Sequence, residues 1–312
     1  MQNRTKVWAV GVCLLAVAIT GHAQHGGGGG AQGHGGGGMM APPTPESIEV
    51  PARGASLPLH DVAGRAVVDV KINGKGPYRF VLGTVANMTI IDSELNKELQ
   101  LPVAEGMQAA ASGSSAPTIV NINELQMGDA VVRGFIGAVM PLNALFTGPN
   151  APRGIISAGL FQSYLVTYDY PKKRVTVAKG RLDKADKLST FDYSESRPTL
   201  PVKVGNRETR VAMDTSSAYG LTLPSRLQSE LPLAGPAKAN GTRRTLSGET
   251  AVSSAAVSAP VEIGQFKLAL KEVSFVEPPS SGAATTGNIG NEVLRNFVVT
   301  VDPWNRRIRL TQ

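Results

Sequence analysis

Two long segments of the chain follow the same pattern. Residues 198–310 repeat the order of features in residues 66–177, at an offset of about 131 to 133 residues. Both segments contain an apolar strand, a turn, a partner strand, a short helical stretch and a closing phrase. Because the strands are short and separated by Gly, Asn and Pro, the repeat predicts a duplicated all-β unit.

The landmarks of the repeat stay in register from end to end. Asn73-Gly74 predicts a hairpin in the first copy, and Gly205-Asn206 predicts the matching turn in the second. Each copy closes on a Gly followed by an apolar pair, a short helix and a strand that ends in Asp. These closing phrases run from Gly154 to Asp169 and from Gly287 to Asp302.

The two copies differ where the second strand of each hairpin ends. The second copy continues into Asp214-Thr215-Ser216-Ser217, which predicts a carboxylate on a tight loop held by hydroxyls and backbone amides. At the same place the first copy reads Gly83-Thr84-Val85-Ala86 and has no acid. The repeat therefore predicts one candidate catalytic carboxylate, with a degenerate counterpart.

These phrases carry a resemblance to a known family. The chain resembles the aspartic peptidases of the pepsin and retropepsin type from about residue 60 to 312. It looks most like secreted bacterial aspartyl proteases with two retropepsin-like halves. The resemblance implies an acid-protease fold of two homologous closed-barrel β lobes. The matching residues are Asn73–Phe80, Gly154-Ile155-Ile156, Met213–Ser217 and Gly287–Gly290.

The family mechanism that this resemblance implies needs two carboxylates. Held about 3 Å apart, they share one proton, and their pKa values split. The ionised group takes a proton from the attacking water, while the protonated group hydrogen-bonds the scissile carbonyl. The resemblance implies no metal ion and no organic cofactor, and its substrate class is a peptide or an unfolded protein segment.

This sequence departs from the family pattern at decisive positions. Gly83 replaces the first Asp, and Val85 replaces a loop Gly at which positive φ is expected, a conformation that a β-branched residue resists. Ser216 and Ser157 replace two further glycines. Without a partner, Asp214 is expected to titrate as an ordinary carboxylate. Its role is either catalysis or ordering of its own loop.

Three functions stay open from the sequence. The first is an exported protein with a peptide-binding cleft that is catalytically impaired. The second is an active aspartic endopeptidase that uses Asp214, and the third is a structural or interaction protein of the cell envelope. Asp92 is an acid near the degenerate motif, but its place before a helical pattern predicts a helix N-cap.

The N-terminus has the pattern of a cleaved leader. Arg4 and Lys6 precede the apolar run Val7–Thr20, and Gly21-His22-Ala23 offers small residues before a cleavage site. The run is shorter than the roughly 20 apolar residues that cross a membrane. We therefore expect a periplasmic or secreted protein with no membrane segment after the leader is removed.

The expected organisation has five parts. A signal peptide occupies 1–23, and a Gly/His/Pro-rich disordered linker occupies 24–50. An N-terminal lobe with the degenerate motif follows at 51–180, a polar linker at 181–197 and a C-terminal lobe at 198–312. The histidines of the first linker are expected to be tether residues rather than metal ligands, since few of them would remain after cleavage.

Composition excludes two further classes of protein. The net charge of +7 is scattered, and no basic stripe with interleaved aromatic residues suggests nucleic-acid binding. Cys13 is the sole cysteine and lies in the expected leader, so the exported chain would use neither disulfides nor a thiolate.

Overall fold

The structure is a computed structural model that describes residues 18–21, 44–105, 107–110, 117–194, 197–246, 248–277 and 286–312. Most of the expected leader and most of the Gly/His-rich segment lie outside the described residues. Within the described part, no helix is long and apolar enough to cross a membrane.

The described part of the first half consists of strands with one short α-helix and one 3₁₀ helix. Helix α1 spans Ser93–Leu99 and buries Leu95 and Leu99, and a 3₁₀ helix spans Ala158–Phe161. The strands of this half are β1 Ala18–Gly21, β2 Ser47–Glu49, β3 Ala55–Pro58, β4 His60–Val62, β5 Arg65–Ile72, β6 Lys75–Gly83, β7 Thr89–Asp92, β8 Met107–Ala110, β9 Thr118–Met127, β10 Ala130–Met140, β11 Gly154–Ser157, β12 Leu165–Asp169 and β13 Arg174–Ala178.

The second half has the same character. A 3₁₀ helix spans Ser225–Glu230, and helix α2 spans Asn291–Leu294. Its strands are β14 Thr190–Asp192, β15 Thr199–Val204, β16 Arg207–Met213, β17 Leu221–Pro224, β18 Lys238–Thr245, β19 Gly248–Ala255, β20 Val261–Ile263, β21 Phe266–Leu268, β22 Val273–Val276, β23 Asn288–Ile289, β24 Val298–Asp302 and β25 Arg307–Thr311.

The first half forms a closed six-stranded β-barrel. Its strands pair in the order β5-β6-β11-β7-β10-β9, and β9 returns to β5 through the pairs Lys71–Gln126 and Ile72–Leu125. The β5–β6 hairpin turns at Asn73 and Gly74, both with positive φ, as the sequence predicted. The all-β prediction is confirmed, and the barrel is consistent with the aspartic-protease fold.

The second half builds a nine-stranded sheet with related pairings. Its order is β18-β19-β22-β17-β23-β16-β15-β20-β21. The strand before each candidate loop lies parallel to the closing strand of its own half, β6 with β11 and β16 with β23. Likewise β7 lies parallel to β10, and β17 lies parallel to β22. Each candidate loop therefore leaves its sheet in a similar setting.

A six-stranded sheet joins the halves in the order β14-β25-β24-β12-β13-β3. At its centre β12 pairs antiparallel with β24, and Thr167 lies opposite Thr300. The hydroxyls of these two threonines, 133 residues apart in sequence, are 3.0 Å from each other. Thr167 and Thr300 hold corresponding positions in the two halves. Because they lie opposite each other in an antiparallel pair, the two halves are related here by a local twofold symmetry.

Ordered structure extends beyond the expected domain boundaries. Ser47–Glu49 pairs with β10, although the linker was expected to continue to residue 50. Thr190–Asp192 pairs with β25, although it lies in the expected linker 181–197. In both places the segment adds an edge strand to a sheet. The composition of the segments did not predict this pairing. Within the expected leader, Ala18–Gly21 pairs with Met107–Ala110.

The sequence also predicts exposed hairpin tips at 113–115 and 247–249. The tip at 113–115 lies outside the described residues. In the second half β18 and β19 form a hairpin that closes between Thr245 and Gly248, as the sequence predicted.

Candidate active site

The two candidate loops meet at the boundary between the halves, where Thr84 and Thr215 bond reciprocally. The amide of Thr84 donates to Thr215 Oγ1 at 3.1 Å, and the amide of Thr215 donates to Thr84 Oγ1 at 3.2 Å. The hydroxyl of Thr215 donates to Leu82 O at 2.6 Å, and that of Thr84 donates to Met213 O. Each threonine therefore ties its own loop to the strand end of the other half.

This exchange fixes the relation between Gly83 and Asp214. Both threonines are buried, with exposed fractions of 6% and 0%, so water does not compete for their hydrogen bonds. Gly83 precedes Thr84, and Asp214 precedes Thr215. Gly83 thus occupies the place that is related to Asp214 by the local twofold relationship.

Asp214 lies in a closed, hydrogen-bonded environment. Asp214 is 2% exposed to solvent. Oδ1 accepts from the amide of Ser216 at 3.0 Å and from the Ser216 hydroxyl at 2.5 Å. Oδ2 accepts from Asn288 Nδ2 at 3.3 Å. The carboxylate therefore orders its own loop, and hydrogen bonds hold both of its oxygens in place.

Burial raises the pKa of Asp214 to about 6. Hydrogen bonds from Ser216 and Asn288, and the positive charge of Arg65, act in the opposite direction but do not outweigh the loss of solvation. The expectation of an ordinary carboxylate is therefore wrong. Asp214 is mostly ionised at neutral pH and becomes protonated in mild acid.

Ser217 and helix α2 hold the rest of the second loop. The amide of Ser217 donates to Asp214 O at 3.2 Å, and Ser217 O accepts from the amide of Asn291 at 2.8 Å. Asn291 Nδ2 also donates to Thr215 O at 2.7 Å. Thr215, Ser216 and Ser217 are thus positioning residues around one carboxylate.

The first loop differs from the second in the residue that lies beside it as well as in the absence of an acid. Ile155 pairs with Val81, two residues before Gly83, whereas Asn288 pairs with Ala212, two residues before Asp214. An apolar side chain therefore stands where the second half has an amide. A Cβ at Gly83 would lie 3.0 Å from Ile155 Cγ2, so a side chain there needs its neighbour to move.

The remainder of the first loop has adjusted to its own residues. Val85 is 8% exposed and does not adopt positive φ, so the expectation of strain at this β-branched residue is wrong. Ser157 Oγ donates to Ala86 O at 2.5 Å. The second half has Gly290 at the matching position, where a Cβ would lie 2.7 Å from Ser217 O. The first loop has therefore made room for a side chain that the second loop excludes.

Asp92 stands at the N-cap position of α1, as the sequence predicted, but its carboxylate bonds elsewhere. It precedes α1 but makes no side-chain capping bond, and its Oδ1 accepts from the amide of Leu142 at 2.9 Å. The N-cap prediction is therefore correct in position and wrong in its hydrogen bond. Asp92 is committed to the loop that follows β10.

The β18–β19 hairpin of the second half reaches the first half. Near its tip, Leu246 packs against an apolar cluster that we call the first-half cluster. Arg243 lies over the Tyr219 ring at 3.5 Å from the centroid and donates to Thr222 Oγ1 and Ser274 Oγ, both at 2.7 Å. The buried members of the first-half cluster are Val67, Val81, Ile90, Leu142, Leu145, Phe146 and Ile155.

Sequence reasoning missed the roles of Asn288, of its counterpart Ile155 and of Arg65 around the loops. Asn288 lay inside the recognised closing phrase, and comparing the two phrases position by position would have paired it with Ile155. Arg65 had no sequence signal, because it reads as an ordinary polar residue before an apolar strand. Within the described residues, no group of three or more His, Cys, Asp or Glu side chains could hold a metal ion.

Comparison with known proteins bears on the first half. Residues 68–160 match a family model described as aspartyl protease. A search of curated proteins finds no match. The matched range contains the Gly83 loop and ends before the Asp214 loop, so it supports an aspartyl protease family through the half that lacks the acid.

Proposed function

We propose, starting from the aspartyl protease family that residues 68–160 support, that this chain binds extended peptide segments and is impaired in peptide-bond hydrolysis. One observation carries the proposal: Gly83 stands at the place related to Asp214 through the Thr84–Thr215 exchange. We further infer that the two halves arose by duplication and that the first one lost its carboxylate.

A single carboxylate supplies half of the acid–base chemistry. Ionised Asp214 can accept a proton from water, because it is held in place by Ser216 and Asn288. Hydrolysis of an amide also requires a donor at the carbonyl oxygen. At that side the first loop offers Gly83, which has no side chain, and Ile155, whose hydrocarbon side chain has no proton to donate. Loss of one of two concerted groups lowers rates by orders of magnitude.

Peptide binding does not need the second acid. Strand β18 is an edge strand of the nine-stranded sheet, and its backbone can pair with an added extended segment. The hairpin that carries β18 also contacts the first half through Leu246, so a segment paired with it would lie close to both halves. These contacts support a binding function that is independent of hydrolysis.

The decisive experiment measures cleavage and binding on the same samples. Purified protein and its Asp214→Asn variant are incubated with a denatured protein from about pH 3 to 7, with and without a statine-type inhibitor. We expect no cleavage and saturable binding of an extended peptide by both proteins. Cleavage that the inhibitor and Asp214→Asn both abolish would refute the impaired-enzyme proposal.

A peptidase that works with Asp214 alone is the second candidate, and the raised pKa of this residue favours it. A base with a pKa of about 6 is well matched to mildly acidic or neutral conditions. In that case activity rises with pH through about 6 as Asp214 ionises. A shared-proton pair would instead give a bell-shaped profile.

Export through the N-terminal leader is part of the proposal. Removal of residues 1–23 would also remove Ala18–Gly21 and leave Met107–Ala110 without that partner strand. Mass spectrometry of the protein recovered from the periplasm or medium of an expressing bacterium gives its first residue. We expect the mature chain to begin at Gln24, and recovery of the intact chain in the cytoplasm would contradict export.

A further inference from the structure

The face of β6 that carries Gly83 is apolar. Val81 is two residues before Gly83, so both residues point to the same side of the strand. A Cβ at Gly83 would lie 3.0 Å from Ile155 Cγ2, which places Ile155 on that side as well. Val81 and Ile155 belong to the first-half cluster, against which Leu246 of the β18–β19 hairpin also packs. The cluster therefore lies between the first candidate loop and that hairpin, on one side of the groove that an extended peptide would enter.

Strand register gives each residue of this apolar face a counterpart in the second half. Val81 pairs with both Val67 and Ile155, and a further pair joins Ile155 to a neighbouring residue, Ile90. The second half has the same three pairings, and there the residues that correspond to Val67, Val81, Ile90 and Ile155 are Thr199, Ala212, Thr222 and Asn288. The fold therefore accepts hydroxyls and an amide at these places, and the wholly apolar face is particular to the first half.

A segment of the first half covers this apolar face. Residues 141–153 connect β10 to β11 through turns and irregular backbone. Leu142, Leu145 and Phe146 are buried in the first-half cluster, whereas residues 147–150 are exposed. The amides of Leu145 and Phe146 both donate to Leu142 O, at 2.9 and 2.8 Å. One short turn thus holds three apolar side chains against the first-half side of the groove.

Arg65 is poorly satisfied while Phe146 is in this position. Arg65 is buried, and its Nε and Nη2 have no hydrogen-bond partner among the described residues. Its Cζ lies 5.4 Å from the centroid of the Phe146 ring, which attracts the cation but accepts no conventional hydrogen bond. Buried donors without acceptors cost free energy, and water that entered on displacement of the ring would lower that cost. The covered arrangement is therefore less stable than its apolar contacts alone would make it.

We propose that residues 142–146 are a plug that closes the first-half side of the groove, and that a bound peptide displaces it and puts an apolar side chain of its own in the place of Phe146. The inference rests on the peptide-binding function proposed above and adds a closed state to it. The ligand chemistry follows from the resident side chains, because the apolar face that they cover would otherwise be left in water. Closure lowers the apparent affinity in proportion to the fraction of molecules that are open.

Amide hydrogen exchange of the wild-type protein without peptide tests whether the plug opens. A plug moves without unfolding the barrel, so the amides of Leu145 and Phe146 should exchange about a hundred-fold or more faster than those of β6. Their exchange rates should also change little in low urea, because local opening exposes little surface. If these amides exchange together with those of β6 and with the same urea dependence, residues 142–146 are part of the barrel core and the proposal is overturned.

Two extended peptides that differ at one central residue, Phe or Ser, test what replaces the plug. Their affinities for the wild type and for Phe146→Ala are measured by fluorescence anisotropy. We expect Phe146→Ala to bind the Phe peptide about ten-fold or more tightly than the wild type does, and to gain less affinity for the Ser peptide. The matched control is Leu99→Ala, which removes a buried side chain of α1 from the main core and should leave both affinities unchanged.

The binding results separate failure of the plug from failure of the function on which it rests. If the wild type binds the peptides and Phe146→Ala binds them equally or more weakly, Phe146 is a wall of the site and the plug is refuted. Equal gains for the Phe and Ser peptides would refute replacement by an apolar side chain. If no variant binds either peptide, the proposed peptide-binding function fails and displacement by a peptide fails with it, whatever the exchange rates. Should Phe146→Ala fail to fold, Leu145→Ala gives the same comparison.

Discussion

Thr84 and Thr215 lie 131 residues apart in sequence, yet each donates its amide hydrogen to the hydroxyl oxygen of the other. The exchange joins the loop that carries the Asp214 carboxylate to the loop that has Gly83 at the corresponding position. The interface between the two loops is therefore present although Gly83 contributes no carboxylate. The scaffold and the reaction can therefore be tested separately.

Removing either hydroxyl of this pair should destabilise the fold. Thr215→Val leaves the amide of Thr84 and the carbonyl of Leu82 without these partners, and both are buried. We expect a loss of about 2 to 4 kcal/mol in the free energy of unfolding, measured by urea denaturation. As control, Thr167→Val with Thr300→Val removes two hydroxyls that bond each other and should be nearly neutral. If both experiments gave the same loss in the free energy of unfolding, Thr215 would not be the residue that ties the two loops together.

Asp214 should make stability depend on pH. Its pKa is raised from 3.8 in the unfolded chain to about 6 in the folded one, so the folded state binds the proton more tightly. The stabilisation is present below pH 3.8 and is lost as pH rises through about 6. At about 1.4 kcal/mol per pKa unit, the full difference is about 3 kcal/mol.

The Asp214→Asn variant checks this dependence. We expect it to be more stable than the wild type at pH 8 and close to it at pH 4, in urea denaturation at both values. The sign follows because the variant keeps an uncharged side chain in the same buried place. A variant that is equally destabilised at both pH values would mean that hydrogen bonds, rather than charge burial, dominate at Asp214.

Restoring an acid at Gly83 should require a second change. A side chain there would lie 3.0 Å from Ile155 Cγ2, and Asn288 holds the corresponding place beside Asp214. We expect Gly83→Asp alone to be inactive and destabilised, because the new carboxyl is buried against an apolar group. Gly83→Asp with Ile155→Asn should give cleavage of denatured protein with a bell-shaped pH profile.

The controls for this repair are further variants of the same protein. Adding Asp214→Asn to the double variant should abolish its cleavage. Val85→Gly should add little, because Val85 does not use positive φ. If Gly83→Asp alone is as active as the double variant, Ile155 does not prevent a carboxyl group at position 83 from taking part in catalysis.

The β18–β19 hairpin should open when its contacts with other elements are cut. Arg243→Met loses two hydrogen bonds and the contact with Tyr219, and Leu246→Ser loses packing on the first-half cluster. We expect faster amide hydrogen exchange in β18 and faster peptide association for both variants. Arg244→Met, which breaks an exposed pair with Glu249, should leave both rates unchanged. Unchanged exchange in Leu246→Ser would contradict a closed hairpin.

Substitutions at Gly290 and at Ser157 should differ in how much they lower the free energy of unfolding. A Cβ at Gly290 would lie 2.5 Å from Tyr219 O, so Gly290→Ala forces the backbone apart and should cost about 1 to 3 kcal/mol or more. Ser157→Gly loses the hydrogen bond to Ala86 O and the one from the Gly159 amide, and it should cost about 1 kcal/mol. Urea denaturation of both variants measures the difference. Equal costs would mean that the two loops have the same shape.

The sequence by itself determined the all-β class, the hairpin at Asn73-Gly74 and the candidate carboxylate at Asp214. These follow from local order along the chain, because strand patterns, turn residues and a strand that ends in an acid are read within a few residues. Comparing the two similar segments also indicated that Gly83 stands where the second segment has Asp214.

Only the tertiary structure decided the chemistry around these residues. The raised pKa of Asp214 depends on burial by the whole surrounding fold, which no neighbouring residue in the sequence indicates. Ile155 and Arg65 act on the loops from other strands. Local patterns indicate which groups a loop carries, whereas solvation and steric room depend on contacts between segments far apart in sequence.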